Sequence, residues 1–392
     1  MRKAFFKMAK KMGVCLRTIL YGVFALLFAI NVIIAETKKS VSTEKKSPSL
    51  ILESANSNEN VFENDEFISY LKGNVVFIYD DIKIKSDEAT WWRNQGKVNF
   101  RNNVKVYRGA QTVTCDQMHY GKNNNLLIAN GRFVFIDTLE HTKITGSDAE
   151  YNIQTKYFQL TGKPKLVRYD TASAETLFIS AERMWYIDSI RCANVVDSVK
   201  IIKGKLFSTC KAAKYYTKRD FAQLRLDPFV IYEISNIKGD SIDLFFGKSQ
   251  LQSATVMGHA IGSYIDTIAN TNDSSYTNVW GDSLLMTVSD SGNLDSLWIF
   301  GKAKSKYYES KDRASVNEAS GKKMMMAFTE KGVADKVKIW GNAKSKYFVT
   351  EQKSKGINEA SGDSITVTFK KGRASRLTLA GSARGIYFPR DL

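Results

Sequence analysis

Hydrophobic positions in this chain recur in short alternating runs, and few windows carry a helical period, so the pattern predicts strands throughout. One eight-residue phrase returns nine times: IKSDEATW (84–91), VTCDQMHY (113–120), ITGSDAEY (144–151), ISAERMWY (179–186), STCKAAKY (208–215), IKGDSIDL (237–244), VWGDSLLM (279–286), ASGKKMMM (319–326) and ASGDSITV (360–367). Its third position is always small: Ser86, Cys115, Gly146, Ala181, Cys210, Gly239, Gly281, Gly321, Gly362. Its sixth is always apolar: Ala89, Met118, Ala149, Met184, Ala213, Ile242, Leu284, Met324, Ile365. Its eighth is Trp91, Tyr120, Tyr151, Tyr186, Tyr215, Leu244, Met286, Met326 and Val367. Positions one and three share a strand face, as do six and eight, but alternation slips by one between the two pairs. An inward-facing set survives such a slip only if the strand bends, and a small residue is what a bend tolerates. Each phrase is therefore predicted to be a strand folded at its third or fourth residue.

Gly- and Asn-rich turns follow the phrases (RNQGK, GKNNN, SDSGN, TEKGV), and each leads into a second strand that also breaks at Gly, Asn or Asp, as in KVNFRNNVKVY and LLIANGRFVFI. Stacked antiparallel hairpins, all kinked at mid-length, make a long creased sheet with one interior and two open ends. Successive eighth positions are 29, 31, 35, 29, 29, 42, 40 and 41 residues apart, which separates two groups of repeats near residue 250. The expected organisation is a leader at 1–35, a polar linker at 36–60, repeats at 61–264, and further repeats at 265–392 continuing the same stack. A parallel β-helix, which would need shorter coils and a strict rung, is the second fold.

Composition supports the all-β reading: 43% of the 392 residues are hydrophobic, 12% are aromatic and only 4 are proline. The N-terminus reads as an export signal. Arg2, Lys3, Lys7, Lys10, Lys11 and Arg17 precede the apolar Ile19–Ala35, with Ala35 closing a small-residue cleavage site and a polar tail beyond it. An uncleaved short anchor is the alternative. The net charge of +17 would suit nucleic acid, but export points instead to phosphate-bearing lipids or anionic glycans, or to solubility alone. Past the leader, Cys115, Cys192 and Cys210 form neither a disulfide framework nor a zinc motif; column equivalence holds Cys115 and Cys210 three units apart, too far to bridge.

The residues ITGSDAEYNIQTKYFQLTGKPKLV and IKSDEATWW…GKVNFRNNVKVY resemble the OstA-like family of lipopolysaccharide-transport proteins, of LptA/LptC type, and so do GNAKSKYF, EASGDSITVTF and GSARGIYFP near the C-terminus. The resemblance covers roughly residues 61–392. It implies a creased antiparallel β-jellyroll in the periplasm that shields the acyl chains of lipopolysaccharide and bridges inner and outer membranes. It also implies partners of the same transport system joined by edge-strand addition, with head-to-tail self-association possible. This chain has about twice the repeats of the shortest members, leaving open one jellyroll or two.

The expected lipid groove is built from Ile84, Ala89, Trp91, Val113, Met118, Tyr120, Ile144, Ala149, Tyr151, Ile179, Met184, Tyr186, Ala213, Tyr215 and Ile242. Each of these is also a plain core position. A twelve-carbon acyl stretch is worth about 10 kcal/mol of burial at about 0.8 kcal/mol per methylene, and equivalent sites in a row let it move without re-entering water. Lys302, Lys304, Lys306, Lys344 and Lys346 either meet phosphates or form a solvated face. Enzymatic chemistry has little support. His119, His141 and His259 lack metal-ligand spacing and read as strand residues, and no nucleophile elbow, Walker loop or dinucleotide fingerprint is present. No metal or cofactor is implied. Asp87, Asp116, Glu182, Asp240, Asp282 and Asp363 recur at the bend, which suits turn hydrogen bonding better than a carboxylate pair. The rivals from other classes are a β-solenoid enzyme acting on polysaccharide and a structural or adhesive repeat protein with a dry core.

Overall fold

The computed structural model describes residues 50–389 apart from 124, 153, 172–174, 217–218, 220, 248–249, 268–273, 311, 352–353 and 371–372. The leader, its cleavage site and the tail to residue 49 lie outside the described residues. The chain forms two compact units, the first comprising residues up to Gly204 with Lys214–Arg219 and the second Lys205–Ala213 with Asp220–Leu392.

The first unit opens with β1 (Ile51–Ser54), β2 (Ser57–Glu63), β3 (Glu66–Tyr79), β4 (Ile82–Trp92) and β5 (Lys97–Arg108). Strand structure thus begins inside the 36–60 stretch. It continues through β6 (Gln111–Gly121), β7 (Leu126–Asp137), β8 (Thr142–Asn152), β9 (Tyr157–Thr161), β10 (Lys165–Asp170), β11 (Glu175–Ser180), β12 (Arg183–Ile187) and β13 (Cys192–Lys203). A single 3₁₀ turn at Asp188–Ile190 is the one helical segment among the described residues. The strand pairings are antiparallel, which rules out the parallel β-helix.

Every long strand breaks register at mid-length: after Lys72 in β3, Lys85 in β4, Arg101 in β5, Thr114 in β6 and Asn130 in β7. The cause is local. In alternate strands the crease holds two successive left-handed residues, among them Gly73–Asn74, Asn102–Asn103, Gly131–Arg132, Gly162–Lys163 and Asp197–Ser198. Each pair includes Gly, Asn or Asp, the residues that take this conformation at least cost. The facing strand supplies the small third position: a Cβ added to Gly146 would stand 2.8 Å from Leu160 Cδ1. The recurrent acids sit over the left-handed pair. Asp87 accepts from Asn103 Nδ2 at 2.7 Å, Asp116 from Arg132 Nε at 2.8 Å, and Asp240 contacts His259 Nδ1 at 2.9 Å.

Folding along the crease turns one sheet into two facing layers, a β-jellyroll. β8 shows the division clearly: its first half pairs with β10 and its second half with β9. Phe77 of one layer meets Trp91 and Phe100 of the other edge-on, with ring centroids 5.4 and 5.3 Å apart.

The second unit repeats the plan. It contains β14 (Leu206–Tyr216, shared with the first unit), β15 (Phe221–Arg225), β16 (Phe229–Tyr232), β17 (Ser235–Lys238) and β18 (Ser241–Gly247). Longer strands follow: β19 (Gln250–Thr267), β20 (Ser274–Val288), β21 (Leu294–Glu309), β22 (Asp312–Phe328), β23 (Ala334–Glu351) and β24 (Ser354–Lys370). β25 (Arg373–Ala380) and β26 (Arg384–Pro389) end the chain, each pairing with one half of β24. The lengthening at β19 accounts for the wider repeat interval after residue 244. Creases recur at Gly258–His259, Gly301–Lys302, Gly341–Asn342 and Gly381–Ser382.

Candidate functional site

Because directly paired residues in a sheet share a face, the repeat columns become rows across the strands. In one layer of the first unit the sixth column and its partners run Leu71, Ala89, Phe100, Met118, Ala129, Ala149, Leu160, Met184, Val195 without interruption. All nine are buried. The eighth column forms the parallel row through Trp91, Val98, Tyr120, Leu127, Tyr151, Phe158 and Tyr186. In the facing layer the first column runs Phe77, Ile84, Val106, Val113, Phe135, Ile144, Leu166, Ile179, Ile201. All three rows face the interior.

Between the layers lies an apolar cavity of about 70 Å³. Of the side chains expected from the sequence, Ile84, Val113, Met118, Tyr120, Ile144, Ala149 and Tyr151 line it. Ala89, Trp91, Ile179, Met184 and Tyr186 belong to the same rows but lie outside its wall. Trp91 is half-buried, with the Arg93 guanidinium 4.5 Å from its ring centroid. Tyr215 is a half-buried member of the first unit, whereas Ala213 and Ile242 are buried residues of the second. Thirteen of the fifteen positions thus belong to the first unit and two to the second.

The second strands supply a further part of the wall, which the columns missed: Phe100, Ala129, Phe133, Phe135 and Phe158. Their signal was the alternation in KVNF, LLIANGRFVF and YFQL, which marks the inward residues of those strands. Tyr79 and Tyr120 also line the space. Burial, reinforced by Asp80, raises the Tyr79 phenol above its usual range; burial, reinforced by Tyr79, does the same for Tyr120. Both stay neutral and add no charge to the wall. Glu150 is the acid of the lining and is exposed to solvent.

The titratable residues elsewhere have structural surroundings. Cys115, Cys192 and Cys210 are free and buried. Burial, with Asp116 beside it, pushes the Cys115 thiol up to about 12, and burial pushes Cys210 up to about 11. Of the three histidines, His119 lies in β6, with Nδ1 2.7 Å from Asn99 Oδ1, and burial followed by Arg101 lowers its pKa. His259 lies in β19 at its crease, whereas His141 is a turn residue, which corrects the strand expectation for His141; both have left-handed backbones. The hydrogen bond from Arg132 holds the exposed Asp116 carboxyl below the usual range.

The second unit's interior is built differently. Its corresponding row reads Leu224, Ile242, Val256, Leu284, Ile299, Met324, Ile339 and Ile365, each 0% exposed. Two tyrosines tie one layer to hairpin turns of the other. Tyr232 donates its hydroxyl to the Gly292 carbonyl and Tyr264 to that of Gly332, both at 2.8 Å.

Residues 55–190 match the family model described as LptA/(LptD N-terminal domain) LPS transport protein. No curated protein matches the chain. Among solved structures, LptH of Pseudomonas aeruginosa, the LptA-homologous periplasmic component of its lipopolysaccharide transport device, is 17% identical; 35% of this chain and 82% of that chain are covered, with a TM-score of 0.26. The WD40 domain of SCAP from fission yeast is 8% identical over 88% of this chain and 91% of that chain, with a TM-score of 0.13. At such TM-scores neither superposition carries weight, and the likeness rests on the family match over residues 55–190.

Proposed function

We propose that the chain, whose residues 55–190 match the LptA/LptD N-terminal family of lipopolysaccharide-transport proteins, binds lipopolysaccharide or a related glycolipid in the periplasm. Acyl chains would enter between the two layers of the first unit. The observation that carries this reading is the apolar cavity beside Ala129 and Ala149, set in continuous rows of equivalent positions. Loading would proceed by the two layers parting around the acyl chain. Burial at about 0.8 kcal/mol per methylene would offset that cost. Equivalent neighbouring positions would then let the chain pass along the row.

Exposed edges offer a means of bridging inner and outer membranes. Among the described strands, β1 and β2 pair only with β3, and β25 and β26 only with β24. Their outer backbone groups suit strand addition by other lipopolysaccharide-transport proteins or by a second copy, head to tail. Nucleic acid and cofactors have no part in this reading, and it assigns no catalytic residue.

The test is photo-crosslinking in cells from Tyr120, Tyr151 and Tyr186. Glycolipid adducts are expected at Tyr120 and Tyr151, which line the cavity, and fewer at Tyr186. Adducts at none of the three, in protein that folds normally, would favour a dry structural repeat.

A further inference from the structure

A second concave surface lies in the second unit, a groove of about 890 Å³ whose lining comes from one layer only. Register sets its floor. Trp280, Lys304, Ser320, Lys344, Ser361 and Arg384 pair in turn across β20, β21, β22, β23, β24 and β26. The neighbouring Ala303 and Ala343 are fully buried, so alternation turns this row outward.

The row has an uncommon order of charge. A cation stands on every second strand, a serine hydroxyl stands between cations, and no acid interrupts the sequence. The adjacent row on the same face, Lys306, Glu318, Lys346 and Glu359, alternates in sign and largely neutralises itself, with Lys306 Nζ 2.9 Å from Glu318. No ion pair engages Lys304, Lys344 or Arg384 among the described residues. Strands about 4.8 Å apart place these cations roughly 9.6 Å from one another. A pyranose chain advances roughly 5 Å per sugar, close to the same strand spacing. A glycan lying across the strands would therefore meet one side chain per sugar. Charged and neutral sugars in alternation would find cations and hydroxyls in alternation. Trp280, at the end of the row, offers an aromatic face to a sugar ring.

We infer that this groove binds an acidic glycan carrying one anionic group on alternate sugars, laid across the strands from Trp280 to Arg384. Such binding does not depend on the first unit's interior or on acyl chains, so it stands or falls separately from the lipid reading. Double-stranded nucleic acid, with one charge per about 1.7 Å of axis, does not match the spacing.

Titration calorimetry of the whole exported chain with a hyaluronan octasaccharide, a soluble glycan with one carboxylate per disaccharide, tests this. A neutral chitin oligosaccharide of equal length should bind at least tenfold more weakly. The triple variant Lys304→Gln, Lys344→Gln, Arg384→Gln should lose at least tenfold, and Lys331→Gln on a hairpin turn should lose nothing. The double variant Ser320→Ala, Ser361→Ala keeps every charge and should lose about threefold. Equal binding by the triple variant would overturn the proposal. So would equal binding of polyglutamate with the same number of charges, because spacing would then be irrelevant.

Discussion

The two units share the crease, the left-handed pair and the small facing residue, yet their interiors differ, and the difference can be read along a single row. In the first unit that row includes Ala89, Ala129 and Ala149 among Leu71, Phe100, Met118 and Leu160. Ala129 and Ala149 are direct partners, and the cavity lies against them. In the second unit, every position from Leu224 to Ile365 carries a branched or long aliphatic side chain. The repeat therefore determines where the sheet folds, and side-chain volume at equivalent positions determines how fully that row fills the space between the layers. The tyrosine ties to Gly292 and Gly332 reinforce the contrast by holding the second unit's layers together at the turns.

The contrast can be broken most directly by opening a hole in the second unit's row of large side chains. Ile339→Ala, at a fully buried position of the second unit, should cost about 2–5 kcal/mol in chemical denaturation. A cost below about 1 kcal/mol would mean that this interior is looser than its burial indicates. Tyr264→Phe removes one hydroxyl tie and should cost about 1 kcal/mol. It should also speed amide exchange in the Thr329–Val333 turn, and unchanged exchange would remove the tie from the comparison. The smallest effect is expected from Ala149→Leu. The space beside it can take the added carbons, so stability should change by less than about 1.5 kcal/mol while glycolipid adducts at Tyr120 fall. A large loss of stability would show the cavity to be too rigid for a guest.

Much of this was legible without coordinates. The slip between positions three and six of ITGSDAEY announces a bend, and Gly146 marks its place. The sixth column held: Ala89, Met118, Ala149, Met184, Ala213, Ile242, Leu284, Met324 and Ile365 are all buried. Of the fifteen candidate side chains, Ala213 and Ile242 belong to the second unit and the other thirteen to the first. Another part of the wall came from second strands, whose breaks at NN, NG or TG obscure the period. Lys304 and Lys344 were visible as basic residues, but their alignment with Arg384 was not, since it passes through four successive strand pairings.

The amino-acid sequence by itself determined the bend, the turn and the inward set, because each depends on backbone conformation within a few residues: a left-handed pair, a small partner, an alternation of two. Only the tertiary structure decided where space remained and which charges stood in line. A cavity is a small difference between the volumes of residues brought together from distant hairpins. A row of cations exists only once register has set strand against strand.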